Sequence, residues 1–320
     1  MKAIVQDLYG SADVLQLKDI EPPHIGPEDV LIQVRAAGVD FGVWHLMTGI
    51  PYVARLAMGL SRPRNPVRGM DVAGVVEAVG ERVTAFKPGD EVFGVCDGAF
   101  AEHARASHDK LLRKPGNLTF EQAAAVPISA TTALVGLRAA KVQSGERVLI
   151  TGAGGGVGTY AVQLARAMGA EVTGVCSTSK VELVRSLGAA NVIDYTREDF
   201  ADGGPRYDVI LDIAGSRPLS HLRRALTPTG RLLIVGGEGG GRWFGLGRQL
   251  WAMVASPFSR QKLGSVLGLV NQGDLRVLTT YLEAGTVVPV IERRYSLSEA
   301  PLAVRTLAEG HSRGKAVICI

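Results

Sequence analysis

Several features are scarce in this sequence, and each scarcity excludes a class of protein. Only three cysteines occur in 320 residues, and their wide separation excludes a cysteine metal cluster and a disulfide framework. No run reaches the roughly 18 apolar residues that favour a membrane-spanning helix, and the N-terminus lacks an apolar signal core. We therefore expect a cytoplasmic protein with no stable membrane insertion.

The net charge of the chain is also small. The formal net charge is +4, and Lys and Arg are mixed with Asp and Glu along most of the chain. No basic run with interleaved aromatic residues resembles a nucleic-acid module, so no nucleic-acid partner is expected. The mild positive excess suits a small anionic ligand.

Two kinds of pattern divide the chain. Short apolar runs separated by PP, GPED and KPGDE turns fill the first ~115 residues and indicate β-strands. From Arg147 to Gly237, strand-like runs alternate with helical patterns, which predicts an α/β fold with a doubly wound parallel sheet. Because β-like sequence returns at the end, we predict one domain from residues 1–118 and 286–320, and a second from residues 119–285.

A glycine-rich stretch, TGAGGGVG at residues 151–158, lies between the strand-like run RVLI and a helical pattern. Glycines at such a turn remove side chains where the N–H groups of a helix start can bind phosphate. Ala153 replaces the first glycine of a GxGxxG fingerprint, yet the position inside a βαβ unit supports a dinucleotide site. The residues predicted to bind the cofactor here are Gly152, Gly155, Gly156, Val157 and Gly158.

The end of the second predicted strand reads VCSTSK and contains no acid. An acid about 20 residues beyond the glycine loop would accept the ribose 2′-OH of NAD. Ser177 and Lys180 instead offer a hydroxyl and a cation that suit a 2′-phosphate, which predicts NADP(H) as the cofactor. The alternative that these two residues only begin the next helix stays open.

Longer stretches resemble the zinc-free quinone oxidoreductase branch of the medium-chain dehydrogenase/reductase superfamily. They include VLIQVRAAGVDFGVWHLMTG, FKPGDEVFG, EQAAAVPISATTAL, the glycine-rich stretch and HSRGKAVICI. The resemblance implies a GroES-like β-barrel catalytic domain, a Rossmann cofactor domain and a homodimer. Zinc-dependent members have cysteine and Gly-His-Glu where this chain has Asp40 and Gly69, Met70 and Asp71, so no zinc or other metal is expected.

The same resemblance implies roles for individual residues. Asp40 matches a position near the nicotinamide ribose, and either His45 or Tyr52 could hydrogen-bond the acceptor oxygen. That His45 and Tyr52 only pack a loop stays open. Further cofactor contacts are implied for Tyr195, Gly236, Gly237, Arg313 and Lys315.

Missing zinc ligands also indicate the substrate class. Without a Lewis acid to polarise a carbonyl, the hydride acceptor must delocalise the incoming charge itself, as quinones and conjugated enones or enals do. The sequence thus predicts an NADPH-dependent, zinc-independent quinone or enone reductase. The alternative is a non-catalytic NADPH-binding sensor or structural protein of the same fold. The segment 239–263 could serve as a dimer contact, a pocket wall or a membrane-surface segment.

Overall fold

The computed structural model describes residues 1–203, 206–235, 247, 249, 251–252, 256, 259–266, 270–310 and 312–320. The chain forms two compact units. The β-rich unit comprises Met1–Thr131, Val270–Gly285 and Pro289–Ile320. The doubly wound unit comprises Thr132–Leu269 and Thr286–Val288.

The strands and helices of the described residues are numbered in chain order. The strands are β1 (Lys2–Val5), β2 (Gln16–Asp19), β3 (Asp29–Val39), β4 (Asp71–Val79), β5 (Glu91–Val95), β6 (His103–Ser107), β7 (Leu111–Arg113), β8 (Arg147–Thr151), β9 (Glu171–Cys176), β10 (Asn191–Asp194), β11 (Tyr207–Asp212), β12 (Leu226–Ile234), β13 (Lys262–Ser265), β14 (Ile291–Ser296) and β15 (Lys315–Cys319). The α-helices are α1 (Phe41–Thr48), α2 (Arg55–Met58), α3 (Phe120–Ala124), α4 (Pro127–Ala139), α5 (Gly156–Ala167), α6 (Val181–Ser186), α7 (Leu219–Ala225), α8 (Gln272–Glu283) and α9 (Ala300–Ala308).

A mostly antiparallel sheet organises the β-rich unit. Its strand order is β14-β15-β3-β4-β5-β7, with β6 also paired to β3, and only β14 and β15 run parallel. Val30, Ile32 and Val34 of β3 are buried at alternate positions, as expected for a strand with one face on the core. Both ends of the chain contribute strands, as the sequence pattern predicts.

A parallel sheet organises the doubly wound unit. Its strand order is β10-β9-β8-β11-β12-β13, and every pairing is parallel. Val148, Leu149 and Ile150 of the central strand β8 are completely buried, because both faces of the sheet are covered. The order confirms the predicted doubly wound fold and reverses between β8 and β11, where such sheets bind ligands at the carboxyl ends of the strands.

Helical segments on each side of the doubly wound sequence cluster with the β-rich unit, unlike the predicted boundaries. Asn117 donates from Nδ2 to the Leu282 carbonyl at 2.9 Å, and Gln272 donates from Nε2 to the Leu111 carbonyl at 3.0 Å. The backbone N–H of Ile128 donates to Oδ1 of Asp71 at 3.0 Å. These bonds join α8 and the start of α4 to the strands of the β-rich unit.

Helix α5 is buried on more sides than its sequence pattern indicates. Ala161 and Leu164, which share one face at helical spacing, are completely buried. Tyr160 and Val162, outside that face, are also completely buried. Among the described residues, no helix has both the length and the apolar character needed to cross a membrane.

Candidate functional site

The glycine loop occupies the turn between β8 and α5. Gly152 has a φ of +69°, in the left-handed region that favours glycine. The backbone N–H of Ala153 donates to the Val175 carbonyl at 3.1 Å, and that of Gly155 donates to the Gly152 carbonyl at 3.0 Å. These bonds hold the loop against the carboxyl end of β9.

Two positions in this loop require glycine for different reasons. A Cβ on Gly158 would lie 2.1 Å from the Gly152 carbonyl oxygen, so only glycine lets α5 approach the loop this closely. A Cβ on Gly155 would have one neighbour, that same oxygen, at 3.4 Å, so its Cβ direction is open. Gly155 precedes α5 without a side-chain cap, which leaves the first-turn N–H groups, including those of Gly156 and Val157, for an external anion. The turn therefore fits a dinucleotide pyrophosphate.

A buried polar pair supports this loop. The Thr151 hydroxyl donates to Oδ1 of Asp212 at 2.7 Å and accepts from the N–H groups of Ile213 and Ala214 at 3.1 and 3.2 Å. Thr151 and Asp212 end the neighbouring central strands β8 and β11 and are both buried. The pair fixes the two strand ends at the point where the strand order reverses.

Ser177 and Lys180 lie where β9 turns into α6, as predicted. The turn is a short 3₁₀ helix, and the N–H of Lys180 donates to the Ser177 carbonyl at 2.9 Å. A Cβ on Gly154 would lie 2.8 Å from Cβ and Cδ of Lys180. The aliphatic part of Lys180 therefore lies against the glycine loop, which brings its cation to the same edge of the sheet.

An acid that the sequence reading missed also lies at this edge. Asp194 ends β10 and pairs in register with Cys176, the last residue of β9. Oδ2 of Asp194 accepts from the Thr178 hydroxyl at 2.5 Å, and Oδ1 accepts from the N–H and hydroxyl of Thr196 at 3.0 and 2.7 Å. The hydrogen bond from Thr178, followed by those from Thr196, lowers the pKa of Asp194. The sequence shows that an acid ends the third strand, but only the register of β10 against β9 brings it to this turn.

Tyr195 follows Asp194 directly. Its backbone N–H donates to the Cys176 carbonyl at 3.1 Å, and the residue is 50% exposed. This backbone bond places Tyr195 beside the last residue of β9, directly before Ser177. The doubly wound unit thus brings together the glycine loop, Ser177, Lys180 and Tyr195 at the carboxyl ends of β8, β9 and β10.

Thiols are poor ligands in this chain. Burial raises the pKa of Cys176 to about 11, with the negative charge of Asp194 as the second cause. Burial also raises the pKa of Cys96 and that of Cys319, so the three thiols stay protonated near neutral pH. Within the described ranges, no three His, Cys, Asp or Glu side chains lie close enough together to hold a metal ion.

In the β-rich unit, Asp40 begins the segment that contains the predicted catalytic residues. Its Oδ1 accepts from the N–H groups of Gly42 and Val43 at 2.6 and 3.3 Å and caps α1. Its other oxygen, Oδ2, is buried and has no hydrogen-bond partner among the described residues. Asp40 therefore sets the start of α1.

Asp71 and Lys315 form a buried ion pair close to Asp40. Nζ of Lys315 lies 3.3 Å from Oδ2 of Asp71, and the two side chains are 2% and 0% exposed. Burial raises the pKa of Asp71 to about 7, the charge of Lys315 opposes that rise, and the charge of Asp40 adds to it. Lys315, predicted as a cofactor contact, is the first residue of β15, and its buried ammonium contacts Asp71.

His45 is half-buried on α1. Its Nδ1 lies 2.7 Å from the Ile50 carbonyl oxygen, which can only accept, so Nδ1 carries the hydrogen. Nε2 of the neutral ring is then an acceptor, and it becomes a donor only when the imidazole is protonated. This tautomer limits His45 as a hydrogen-bond donor.

Tyr52 is half-buried beyond the C-terminal end of α1, and Arg55 orients it. The Arg55 guanidinium lies 4.6 Å from the ring centre of Tyr52 and 4.3 Å from that of Tyr9. Arg55 also donates to the Gly49 and Thr48 carbonyls at 2.9 and 3.1 Å. Arg55 therefore joins the Tyr52 ring to the end of the helix that contains His45.

Arg313 and two glycines complete the predicted site residues. Arg313 is exposed, and its backbone N–H donates to Oε2 of Glu292 at 2.7 Å. Gly236 and Gly237 lie outside the described residues, as does most of the segment 239–263. Trp251, from that segment, is described and is 63% exposed.

Known families match much of the sequence. The family described as alcohol dehydrogenase GroES-like domain matches residues 26–116, and the family described as zinc-binding dehydrogenase matches residues 187–318. The first match, together with the parallel sheet, confirms the predicted pairing of a GroES-like domain with a Rossmann-like domain.

Individual relatives extend over almost the whole chain. The 2-methylene-furan-3-one reductase of Solanum lycopersicum is 33% identical over 99% of this chain and 79% of its own length. The chloroplastic NADPH-dependent alkenal/one oxidoreductase of Arabidopsis thaliana shows the same identity over the same shares. The solved structure of the quinone oxidoreductase from Coxiella burnetii superimposes with a TM-score of 0.88 at 30% identity, and the match covers 100% of this chain and 99% of that one.

Proposed function

Because the chain is an oxidoreductase of the quinone oxidoreductase branch of the medium-chain dehydrogenase/reductase superfamily, we propose that it reduces quinones or conjugated enones and enals with NADPH and without zinc. The observation that supports this most is the glycine loop, whose open Cβ direction at Gly155 fits a pyrophosphate. Bound NADPH would supply the hydride.

The positions of Ser177 and Lys180 support their predicted role with a 2′-phosphate. Ser177 and Lys180 share one turn, and the stem of Lys180 is held against Gly154. A cation held in this way loses little freedom when it binds a phosphate, and its hydrogen bond to the phosphate is charge-assisted. We assign the 2′-phosphate of NADPH to this turn.

The residues at the family's metal positions support the proposed zinc independence. Asp40 stands at the cysteine position and already accepts two backbone hydrogen bonds, and Met70 stands at the histidine position. Thioether and carboxylate ligands do not form the N/S set that zinc favours. An acceptor that delocalises charge within its own conjugated system suits such a site.

Tyr52 is the better candidate for the hydrogen bond to the acceptor oxygen. A phenol donates its O–H in its neutral form, whereas neutral His45 offers an acceptor at Nε2. Arg55 restrains the Tyr52 ring from one face. Developing negative charge on a reduced quinone or enone oxygen is stabilised by such a donor.

Replacing Tyr52 by phenylalanine is expected to lower kcat by about a hundredfold to a thousandfold, the range for a lost hydrogen bond to a developing anion. NADPH affinity should stay unchanged, because the proposed cofactor residues lie on other elements. Steady-state kinetics and calorimetric titration measure the two quantities. His45→Gln is the matched variant, and a larger kcat loss there than in Tyr52→Phe would assign the donor to His45.

A turnover assay tests the proposed function. The purified protein is mixed with NADPH or NADH and a panel of simple quinones, enones and enals, and the nicotinamide absorbance is followed with and without a strong chelator. We expect consumption of NADPH that the chelator does not slow. Tight NADPH binding without consumption across the panel would instead support the non-catalytic NADPH-binding alternative, and activity lost with the chelator and restored by zinc would overturn zinc independence.

We also propose that the protein is a cytoplasmic homodimer. Support for the dimer comes only from the family resemblance, and support for the location from the three widely separated cysteines, which suit a reducing compartment. Light scattering distinguishes one 33.8 kDa chain from two. Fractionation of cells that produce the protein tests the location.

A further inference from the structure

The turn after β9 has a carboxylate beside it, although its own sequence contains none. Asp194 reaches this turn from the neighbouring strand, because its register partner is Cys176 and its Oδ2 accepts from Thr178 within the turn. In doubly wound dinucleotide sites, an acid at the end of the second strand accepts the ribose hydroxyl of the unphosphorylated cofactor. Asp194 therefore places a carboxylate of this kind close to the turn, although it belongs to β10, the third strand of the doubly wound unit along the chain.

Both oxygens of this carboxylate are already engaged. Oδ1 accepts two hydrogen bonds from Thr196, and Oδ2 accepts one from Thr178 and lies 3.6 Å from Nε of Arg197. The Asp194 side chain is only 10% exposed. A ribose hydroxyl would have to compete with these donors for the small part of the carboxylate that is exposed.

Two cations near the acid oppose its repulsion of a phosphate. Nε of Arg197 lies 3.6 Å from Oδ2 of Asp194. Lys180 shares the turn with Thr178, and its aliphatic stem lies against Gly154. Three hydrogen bonds and a nearby cation therefore make this carboxylate a weaker acceptor for a 2′-OH and a weaker repellent of a 2′-phosphate.

We propose that Thr178 determines cofactor preference by closing Asp194 to the ribose hydroxyls, an inference that rests on the proposed NADPH-dependent function. The hydroxyl of Thr178 holds Oδ2 of Asp194 inside the protein, and Ser177 and Lys180 then meet the 2′-phosphate. Thr178 acts through Asp194 and is a specificity-determining residue without contact to the reacting atoms.

Binding of two cofactor fragments tests this directly. Adenosine 2′,5′-bisphosphate and 5′-AMP differ only in the 2′-phosphate, and calorimetric titration gives both affinities without any turnover. In Thr178→Val, Oδ2 of Asp194 loses its donor, so we expect 5′-AMP to bind about tenfold more tightly and the bisphosphate more weakly, as for one charge-assisted hydrogen bond. Thr178→Ser keeps the hydroxyl and should bind both fragments as the unmodified protein does.

Further variants distinguish an effect of the hydrogen bond between Thr178 and Asp194 from a general change in the structure of the turn. Lys180→Ala should weaken the bisphosphate with no gain for 5′-AMP. The double variant Thr178→Val, Asp194→Asn should lose the gain for 5′-AMP, because the amide carries no charge. Thr196→Val removes a donor from the other oxygen and should shift the fragments in the same direction, which keeps a test available if Thr178→Val does not fold.

The outcomes distinguish this inference from the function on which it rests. Folded Thr178→Val with unchanged 5′-AMP affinity overturns the role of Thr178. A gain for 5′-AMP that persists in the double variant overturns the role of Asp194. Equal affinity of the unmodified protein for both fragments contradicts the NADPH preference itself, and the absence of turnover with any acceptor contradicts the reductase function.

Discussion

Gly158→Ala is expected to abolish measurable NADPH binding and to lower the free energy of unfolding by about 1–3 kcal/mol, as for an overpacked interior position. The added Cβ would lie 2.1 Å from the Gly152 carbonyl oxygen and 2.8 Å from backbone atoms of Ala153. These are backbone atoms, so contact can be relieved only if the loop moves away from α5. Calorimetric titration with NADPH and thermal unfolding measure the two effects.

Gly155→Ala separates the ligand surface from the packing. The new methyl would have a single neighbour at 3.4 Å, so stability should change by no more than about 1 kcal/mol, the usual size of an N-cap effect. NADPH affinity should still fall about tenfold or more, because the methyl occupies the surface at the start of α5. Gly116→Ala, where no atom lies within 4 Å of the new Cβ, should change neither quantity. Full NADPH affinity in Gly155→Ala would show that the pyrophosphate binds elsewhere.

The strand, the glycine loop and the helix at the start of the doubly wound unit could be predicted, because each depends on residues that are close together in the sequence. The run RVLI, the glycines and the following helical period are local, and the observed β8, loop and α5 follow them closely. The structure also explains why glycine occupies these positions, because Gly152 has a positive φ and a Cβ on Gly158 would collide with a backbone carbonyl. Such constraints act within about ten residues and are visible in the sequence.

Asp194 could not be predicted in the same way, because its place depends on strand register. The acid lies 16 residues beyond Thr178, and only the pairing of β10 with β9 brings its carboxylate to that hydroxyl. A search for an acid at the end of the second strand finds none there. Chemistry at a sheet edge is shared among adjacent strands, so a reading of one strand at a time misses it.

Lys315 and the unit boundary show the limits of local pattern. Lys315 follows His-Ser-Arg-Gly and looks like a loop residue, yet it pairs with Asp71, which lies 244 residues earlier. Helix α8 is amphipathic, and Leu275, Leu278 and Leu282 are buried. The helical spacing of these leucines predicts a buried face, but it does not indicate which of the two units covers that face. Hydrogen bonds from Asn117 and Gln272 connect it to the β-rich unit.

Lys315→Met is expected to lower the free energy of unfolding by about 3–5 kcal/mol at about pH 8, the usual cost of leaving a buried charge unpaired, and by much less at about pH 5. Burial, partly opposed by Lys315, raises the pKa of Asp71 to about 7, above the about 3.9 of an unfolded aspartate. Between these values the folded state holds a proton that the unfolded state lacks, so stability falls as the pH rises through that window. Removing Lys315 raises the folded pKa of Asp71 further, because its cation opposes the effect of burial. Thermal unfolding of both proteins across this pH range measures the difference.

Two further variants isolate the charge of Asp71 as the cause. The double variant Asp71→Asn/Lys315→Met contains neither charge of the buried pair. Part of the free energy of unfolding lost in Lys315→Met should therefore return at about pH 8, and the extra pH dependence should disappear. Lys18→Met removes a lysine paired with Asp7 at the surface, with a 2.7 Å contact and an Asp7 side chain that is 70% exposed. Because solvent screens such pairs, this control should lose no more than about 1 kcal/mol at any pH. Equal destabilisation of Lys315→Met at both pH values would mean that Lys315 stabilises the β-rich unit by packing its side chain rather than by pairing with an ionised Asp71.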